Sequence, residues 1–251
     1  MCSYLLSSGL DGTFGASWGR VIASSSRKGS DSRRNQTATI DATPEQYAQP
    51  APRPAGQEAS PAGVWGNSAP LGLAGFAVTT FMLSMVNAKL MPAAITPVVF
   101  GVALMFGGIA QLIAGTIQFR NGSTFQGVLF TGFGAFWLSL YAIAEFFFKS
   151  IPLTQQGHAN GLFLSAFGIF AAWLWLASFR TNVVVVVALG TLAATFFVPG
   201  VGSYYGSAFT VETGGYMGLV VAFLAAYLSC AELCEASYKR SVLPVWPLAK
   251  R

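Results

Sequence analysis

Apolar residues fall in long unbroken blocks along this chain, with neither the strict alternation of a half-buried strand nor the narrow stripe of a water-facing helix. Between Asn67 and Ala231 the only charged side chains are Lys89, Arg120, Glu145, Lys149, Arg180 and Glu212. They act as punctuation, leaving six apolar windows at 70–86, 95–119, 127–148, 160–179, 183–202 and 214–233. A membrane-crossing helix needs roughly 20 apolar residues at ~1.5 Å rise each, so the pattern predicts six transmembrane helices. Charges fall at window edges because each would cost ~2.5–3.5 kcal/mol at the midplane. The valine run 183–187 is β-prone, but a lone strand would leave its backbone unsatisfied in lipid. It is read as helix.

Composition sharpens this. Of 251 residues, 53% are hydrophobic and 9% charged, against about 25% charged in an average soluble domain. A wholly disordered chain, a nucleic-acid module and an ordinary water-soluble enzyme are excluded. Residues 1–64 differ: six basic and five acidic groups, serine tracts and a Pro/Ala/Gln stretch cannot bury a core. They are expected to form a disordered cytoplasmic tail, with an organellar transit segment as the alternative. Residues 65–236 form the membrane domain and 237–251 a short second cytoplasmic tail.

Six spans place both termini on one side. That side collects the six tail bases plus Arg120, Arg180, Lys239, Arg240, Lys250 and Arg251, against Lys89 and Lys149 opposite. The positive-inside rule then puts both ends in the cytoplasm, leaving open plasma membrane or organelle. The sequons at Asn35 and Asn121 fall on that side and are expected to be unused.

Candidate chemistry is sparse. Cys230 and Cys234 lie one helical turn apart, a poor geometry for a disulfide, and the single histidine, His158, is distant; no metal site is expected. There is no phosphate-cradling glycine loop, nucleophile elbow or convergent titratable cluster, so neither an enzyme nor a cofactor is expected. The intramembrane polar side chains are neutral: Thr79, Thr80, Ser84, Asn87, Gln111, Thr116, Thr131, Ser139, Ser165, Thr191 and Thr195. Such groups can replace a small solute's hydration without a buried charge. Glu145 and Glu232 lie near span ends, and Glu232 is the candidate for proton handling. Gly214, Gly218, Ala222, Ala226 and Cys230 recur every four residues, a ribbon of small side chains suited to close helix packing within the bundle or between subunits.

The most specific segment opens the first span: Asn67-Ser68-Ala69-Pro70-Leu71-Gly72-Leu73-Ala74-Gly75-Phe76, followed by Thr79-Thr80 and Asn87. It resembles the signature of the acetate uptake transporter family, N-P-A-P-L-G-L-x-G-F. The likeness continues through Gly107-Gly108-Ile109-Ala110-Gln111, Phe136-Trp137-Leu138 and Val242-Leu243-Pro244. The resemblance implies a six-helix bundle assembling as a homo-hexamer, each subunit carrying acetate and related small carboxylates, including succinate, with protons. It implies a hydrophobic constriction at Phe76, Phe133 and Leu192. Around it, Thr79, Thr80, Asn87, Gln111 and Trp137 are expected to line the path. Ser68 replaces the signature's first proline, which loosens the expected approach to the first helix. Phe133 stands where a bacterial member has tyrosine, removing a hydroxyl from the narrow part.

Acetate is an anion in water, and stripping its hydration in an apolar ring is costly unless it is protonated or partnered. With no mid-span Asp or Glu, the proton is expected to travel with the substrate. Two rivals stay open: a passive channel for acetate, ammonium or urea, and a membrane sensor or scaffold.

Overall fold

A computed structural model describes residues 65–248; the tail 1–64, its Asn35 sequon, Cys2, Lys250 and Arg251 lie outside the described residues. Six helices are long and apolar enough to cross a membrane: α1 Ala69–Asn87, α2 Ala93–Arg120, α3 Thr124–Ser150, α4 Leu153–Ser178, α5 Val183–Tyr204 and α6 Ala208–Tyr238. Among the described residues no strand forms; the one β-type pairing is an isolated antiparallel bridge, Asn182 with Pro247. The all-α membrane architecture read from the charge punctuation is what the chain adopts.

Two helices run past their apolar windows. α4 begins at Leu153 rather than near residue 160, and α6 extends to Tyr238. The polar residues of these extra turns, Thr154-Gln155-Gln156 of α4 and Glu235 of α6, lower the hydropathy without interrupting the backbone hydrogen bonding that satisfies each peptide group. Asn182 starts α5, its side-chain oxygen accepting from Val185 N–H at 2.9 Å, one of the orphan donors of a helix N-terminus. Pro70 sits in the first turn of α1, where a missing N–H costs nothing.

α1 packs along α6, α6 along α5 and α5 along α4, while α2 lies against both α1 and α3. With little hydrophobic drive between helices in lipid, close backbone approach supplies the attraction. The ribbon on α6 serves this over its first half: a Cβ on Gly214 would lie 2.8 Å from Pro199 Cγ of α5, and Gly218 faces Ser84 Oγ of α1. Beside the ribbon, a Cβ on Gly215 would strike Ala88 N and come within 2.7 Å of Asn87 C. Further along, Ala226 and Cys230 are exposed, so the ribbon divides between bundle packing and an outward surface.

Gly215→Ala is therefore expected to force α6 from α1 and destabilise by ~1–3 kcal/mol, the range for overpacking. Gly101→Ala, with nothing within 4 Å of its added methyl, is expected to be neutral. Thermal unfolding in detergent checks the pair.

α2 is not a uniform helix. Over Ala103–Ala110 it widens into a π-helical stretch, a feature that recurs at functional sites. Its Gly107 is wedged between α1 and α3: an added Cβ would lie 2.7 Å from Thr79 Oγ1 and 2.9 Å from Trp137 Cγ. The wide turn thus sets where the Trp137 indole rests.

The core is aromatic. Phe133 lies 5.2 Å from Phe76 and 5.4 Å from Phe170, ring centre to ring centre. Phe136 touches Trp137 and Phe196, each at 5.1 Å. Such pairs add about 0.5–1.5 kcal/mol each beyond their buried area, fixing α3 against α1, α4 and α5.

Candidate functional site

Three helices present their lining residues in matching order. On α1 the positions 73, 76, 80, 84 and 87 share one face by the spacing of three and four. Leu73 and Phe76 meet one cavity, and Phe76, Thr80, Ser84 and Asn87 another. On α5, Ala188 and Leu192 face the first, and Leu192 and Thr195 the second. On α6 the order reverses, from Gly214 through Val221 to Leu228. The result is a column of spaces running with the bundle.

At the end of the column where α1 begins is a vestibule of about 550 Å³, lined by Asn67, Asn182, Glu232 and Glu235 and by Leu243, Val245 and Pro247 from beyond α6. Leu228 borders both this vestibule and an apolar chamber of about 40 Å³. Beyond that chamber lies a polar one of about 230 Å³, carrying Thr80, Ser84, Asn87, Trp137, Asn160 and Thr195. Phe76 and Leu192 line both chambers, so these two side chains are the partition between them. Both are buried. Phe133 reaches only the apolar chamber, where it buttresses Phe76 and stacks on Phe196 at 6.2 Å with an interplanar angle of 4°. A tyrosine hydroxyl there would add the chamber's second polar side chain, Gln111 being the first.

Electrostatically the two chambers contain no charged side chain among their lining residues. They contain something more specific. Three buried polar atoms have no hydrogen-bond partner among the described residues: Thr80 Oγ1, Gln111 Oε1 and Trp137 Nε1. Thr80 and Trp137 line the polar chamber and Gln111 the apolar one. Leaving such a group unpaired costs about 1–3 kcal/mol, and native proteins rarely tolerate it without reason. Chemically, the side chains that wall the polar chamber include an unpaired indole N–H and an unpaired hydroxyl, and those that wall the apolar one include an amide with an unpaired oxygen.

Thr79 is a correction. Its side chain is fully buried, its Oγ1 donates to Gly75 O at 2.8 Å, and it packs on Gly107 of α2. One residue of helix rotates a side chain by about 100°, so Thr79 and Thr80 cannot share the lining face. Thr79 lines neither chamber.

The signature residues have structural partners. Asn67 Nδ2 donates to Glu232 Oε2 at 3.0 Å, and its Oδ1 accepts from Ala69 N–H at 3.0 Å. Pro70 O accepts from Ser229 Oγ at 2.7 Å. Gly72 lets the Phe130 ring lie flat on α1. Leu73 faces the apolar chamber while Leu71 is exposed outward. Ser68, expected to loosen the start of α1, fastens it instead: its Oγ donates to Ala114 O of α2 at 2.8 Å. Glu232 also accepts from Gln126 Nε2 at 3.4 Å. It therefore stands in the vestibule as the acceptor of two amides, outside both chambers; Glu145 lines neither chamber nor the vestibule.

Asn160 was legible only as the edge of an apolar window. Inside the longer α4 it donates to Ser203 Oγ at 3.1 Å and walls the polar chamber. Nothing in the periodicity marked Phe196, whose role follows from where α3 and α4 meet α5.

The match to a known group is broad. The model of the GPR1/FUN34/yaaH family covers residues 50–250. Ammonia transport outward protein 2 of Saccharomyces cerevisiae is 34% identical over 195 residues, 76% of this chain and 68% of that protein. The succinate-acetate/proton symporter SatP of Escherichia coli is 31% identical over 181 residues, 71% of this chain and 94% of SatP. The solved structure of the bacterial acetate channel SatP superimposes with a TM-score of 0.67 at 29% identity, over 72% of this chain and 99% of that one. The motifs running from Asn67 to Pro244, the six-helix bundle and these likenesses coincide: the chain belongs to the GPR1/FUN34/yaaH family.

Proposed function

We propose that this protein carries acetate and similar small monocarboxylates across a membrane, through the two chambers and past Phe76 and Leu192, with a proton accompanying the substrate. The observation that carries this reading is the placement of the three unpaired polar atoms, Thr80 Oγ1, Gln111 Oε1 and Trp137 Nε1, on either side of the partition. A carboxyl group passing from one chamber to the other exchanges water for these groups, and its methyl end meets Phe and Leu. The names of the relatives, a succinate-acetate/proton symporter and an acetate channel, support the same substrate class.

The linings support proton coupling. With no Asp or Glu in either chamber, a free carboxylate would cross the partition unpartnered, and burial disfavours the charged form. The acid crosses neutral. Glu232→Gln is accordingly expected to keep accumulation driven by a pH gradient in proteoliposomes, within about threefold of the parent, a change of under 1 kcal/mol. A dedicated relay through Glu232 would instead lose uphill uptake altogether.

A passive channel is the second reading, favoured by the ammonia-transport relative and the channel description of SatP. Uptake against imposed proton and voltage gradients separates the two: symport gives uphill accumulation that follows the pH gradient, whereas an anion channel follows voltage alone.

Arg120, Arg180, Lys239 and Arg240 share the vestibule end, which supports placing that end, and both termini, in the cytoplasm. Homo-hexameric assembly belongs to the same proposal, with the groove of α1 and α6, where Ala77, Ala222 and Ala226 lie beside Phe81 and Phe223, as the surface for a second copy.

A further inference from the structure

The chain does not drift away after α6. At Lys239 the backbone turns left-handed, φ 56°, and residues 241–248 run back across the vestibule. Leu248 N–H donates to Thr181 O at 2.9 Å, and Trp246 O accepts from Val183 N–H at 3.0 Å. This second bond satisfies one of the orphan donors at the start of α5. Tyr227 of α6 donates its hydroxyl to Pro244 O at 2.7 Å. The segment thus bridges the end of α6 to the beginning of α5, the two helices that border the vestibule.

Three of its side chains, Leu243, Val245 and Pro247, form one wall of the vestibule. Val245 packs on the small apolar cluster of Ala69, Leu73, Phe130, Val184 and Leu228. Leu228 in turn separates the vestibule from the apolar chamber, so the segment leans on the cluster that holds the side chain through which the column would have to open. Its hold is limited. Pro244 and Pro247 have no N–H, only one bridge of β-pairing forms, and both Lys239 and Trp246 sit at positive φ, a conformation side chains other than glycine rarely adopt.

We infer that residues 241–248 are a strap that gates the vestibule end of the path: docked on α5 and α6 it holds Leu228 closed, and released it lets the small acid into the apolar chamber. The inference rests on the proposed path and adds a moving part to it. Lids of this kind set turnover when their opening is slower than passage itself.

The test uses the bridge. Facing residues of an antiparallel pair have Cα atoms about 4.5–5.5 Å apart, inside the range a disulfide spans. In a full-length chain with Cys2, Cys230 and Cys234 changed to serine, Asn182→Cys with Pro247→Cys is reconstituted and acetate uptake measured oxidised and reduced. Oxidation is expected to slow uptake by about tenfold or more, and reduction of the same vesicles to restore it. Tyr227→Phe, which removes only the hydroxyl bond to Pro244, is expected to speed it. Equal rates in the oxidised and reduced protein, with cross-linking verified by mass spectrometry, would overturn the strap. A Leu192→Trp arm separates the two ideas: if it still conducts, the path is in error; if it blocks while cross-linking does nothing, only the strap is.

Discussion

Leu192→Trp is expected to reduce acetate flux about a hundredfold while leaving the protein folded and assembled. The chamber beside Leu192 measures about 40 Å³ and already touches Phe76 and Phe133. An indole cannot enter it without displacing those rings, and overpacking costs ~1–3 kcal/mol. Applied to the moment when a solute must also fit, the upper end corresponds to about two powers of ten in rate. Uptake of labelled acetate into proteoliposomes, with size-exclusion chromatography as the folding control, reads the result. Leu71→Trp is the companion substitution: Leu71 is exposed on the outer face of α1, and the same added bulk there is expected to leave flux intact.

Removing the polar chamber's donors should produce an opposite pattern in rate and stability. Trp137→Phe combined with Thr80→Val is expected to slow acetate about tenfold, since each hydrogen bond to a neutral acid contributes ~0.5–1.5 kcal/mol and two are removed together. The same double substitution is expected to raise the melting temperature. Neither Nε1 nor Oγ1 has a partner among the described residues, and each unpaired buried group costs about 1–3 kcal/mol that an apolar replacement recovers. A purely structural role for the two side chains would lower stability and rate together. Thermal unfolding alongside uptake tells the cases apart.

Much of the architecture was legible because the membrane is an undemanding solvent to read. Six charged residues between Asn67 and Ala231 leave so few places for a helix to end that the six spans follow almost by exclusion. Helix ends were harder: α4 and α6 carry polar first and last turns, and hydropathy alone cannot tell an interfacial helical turn from a loop. The lining face was legible only in part. Thr80, Asn87, Gln111 and Trp137 stand on the chambers, yet Thr79, chemically identical to its neighbour, is turned into the α1–α2 contact by one step of helix rotation.

Long-range pairings were closed to sequence reading. The signature asparagine, Asn67, meets Glu232 across 165 residues of chain, and the return of residues 241–248 to α5 depends on backbone groups that every sequence carries. Ser68 is instructive. Read as the loss of a rigid proline, it is in the folded chain a hydroxyl aimed at Ala114 O, a compensation visible only once α2 is in place. Phe133, read as a missing hydroxyl, lies against three other aromatic rings, where apolar contact fills the space.

The central claim is that a small acid sheds its water between two uncharged chambers and slips past Phe76 and Leu192. It is tested most directly by counterflow of labelled acetate in vesicles made from one lipid batch, containing the parent protein, Leu192→Trp or no protein. The account predicts rapid exchange in the first and near-empty-vesicle rates in the other two. Exchange in the parent vesicles no faster than through bare lipid would contradict it.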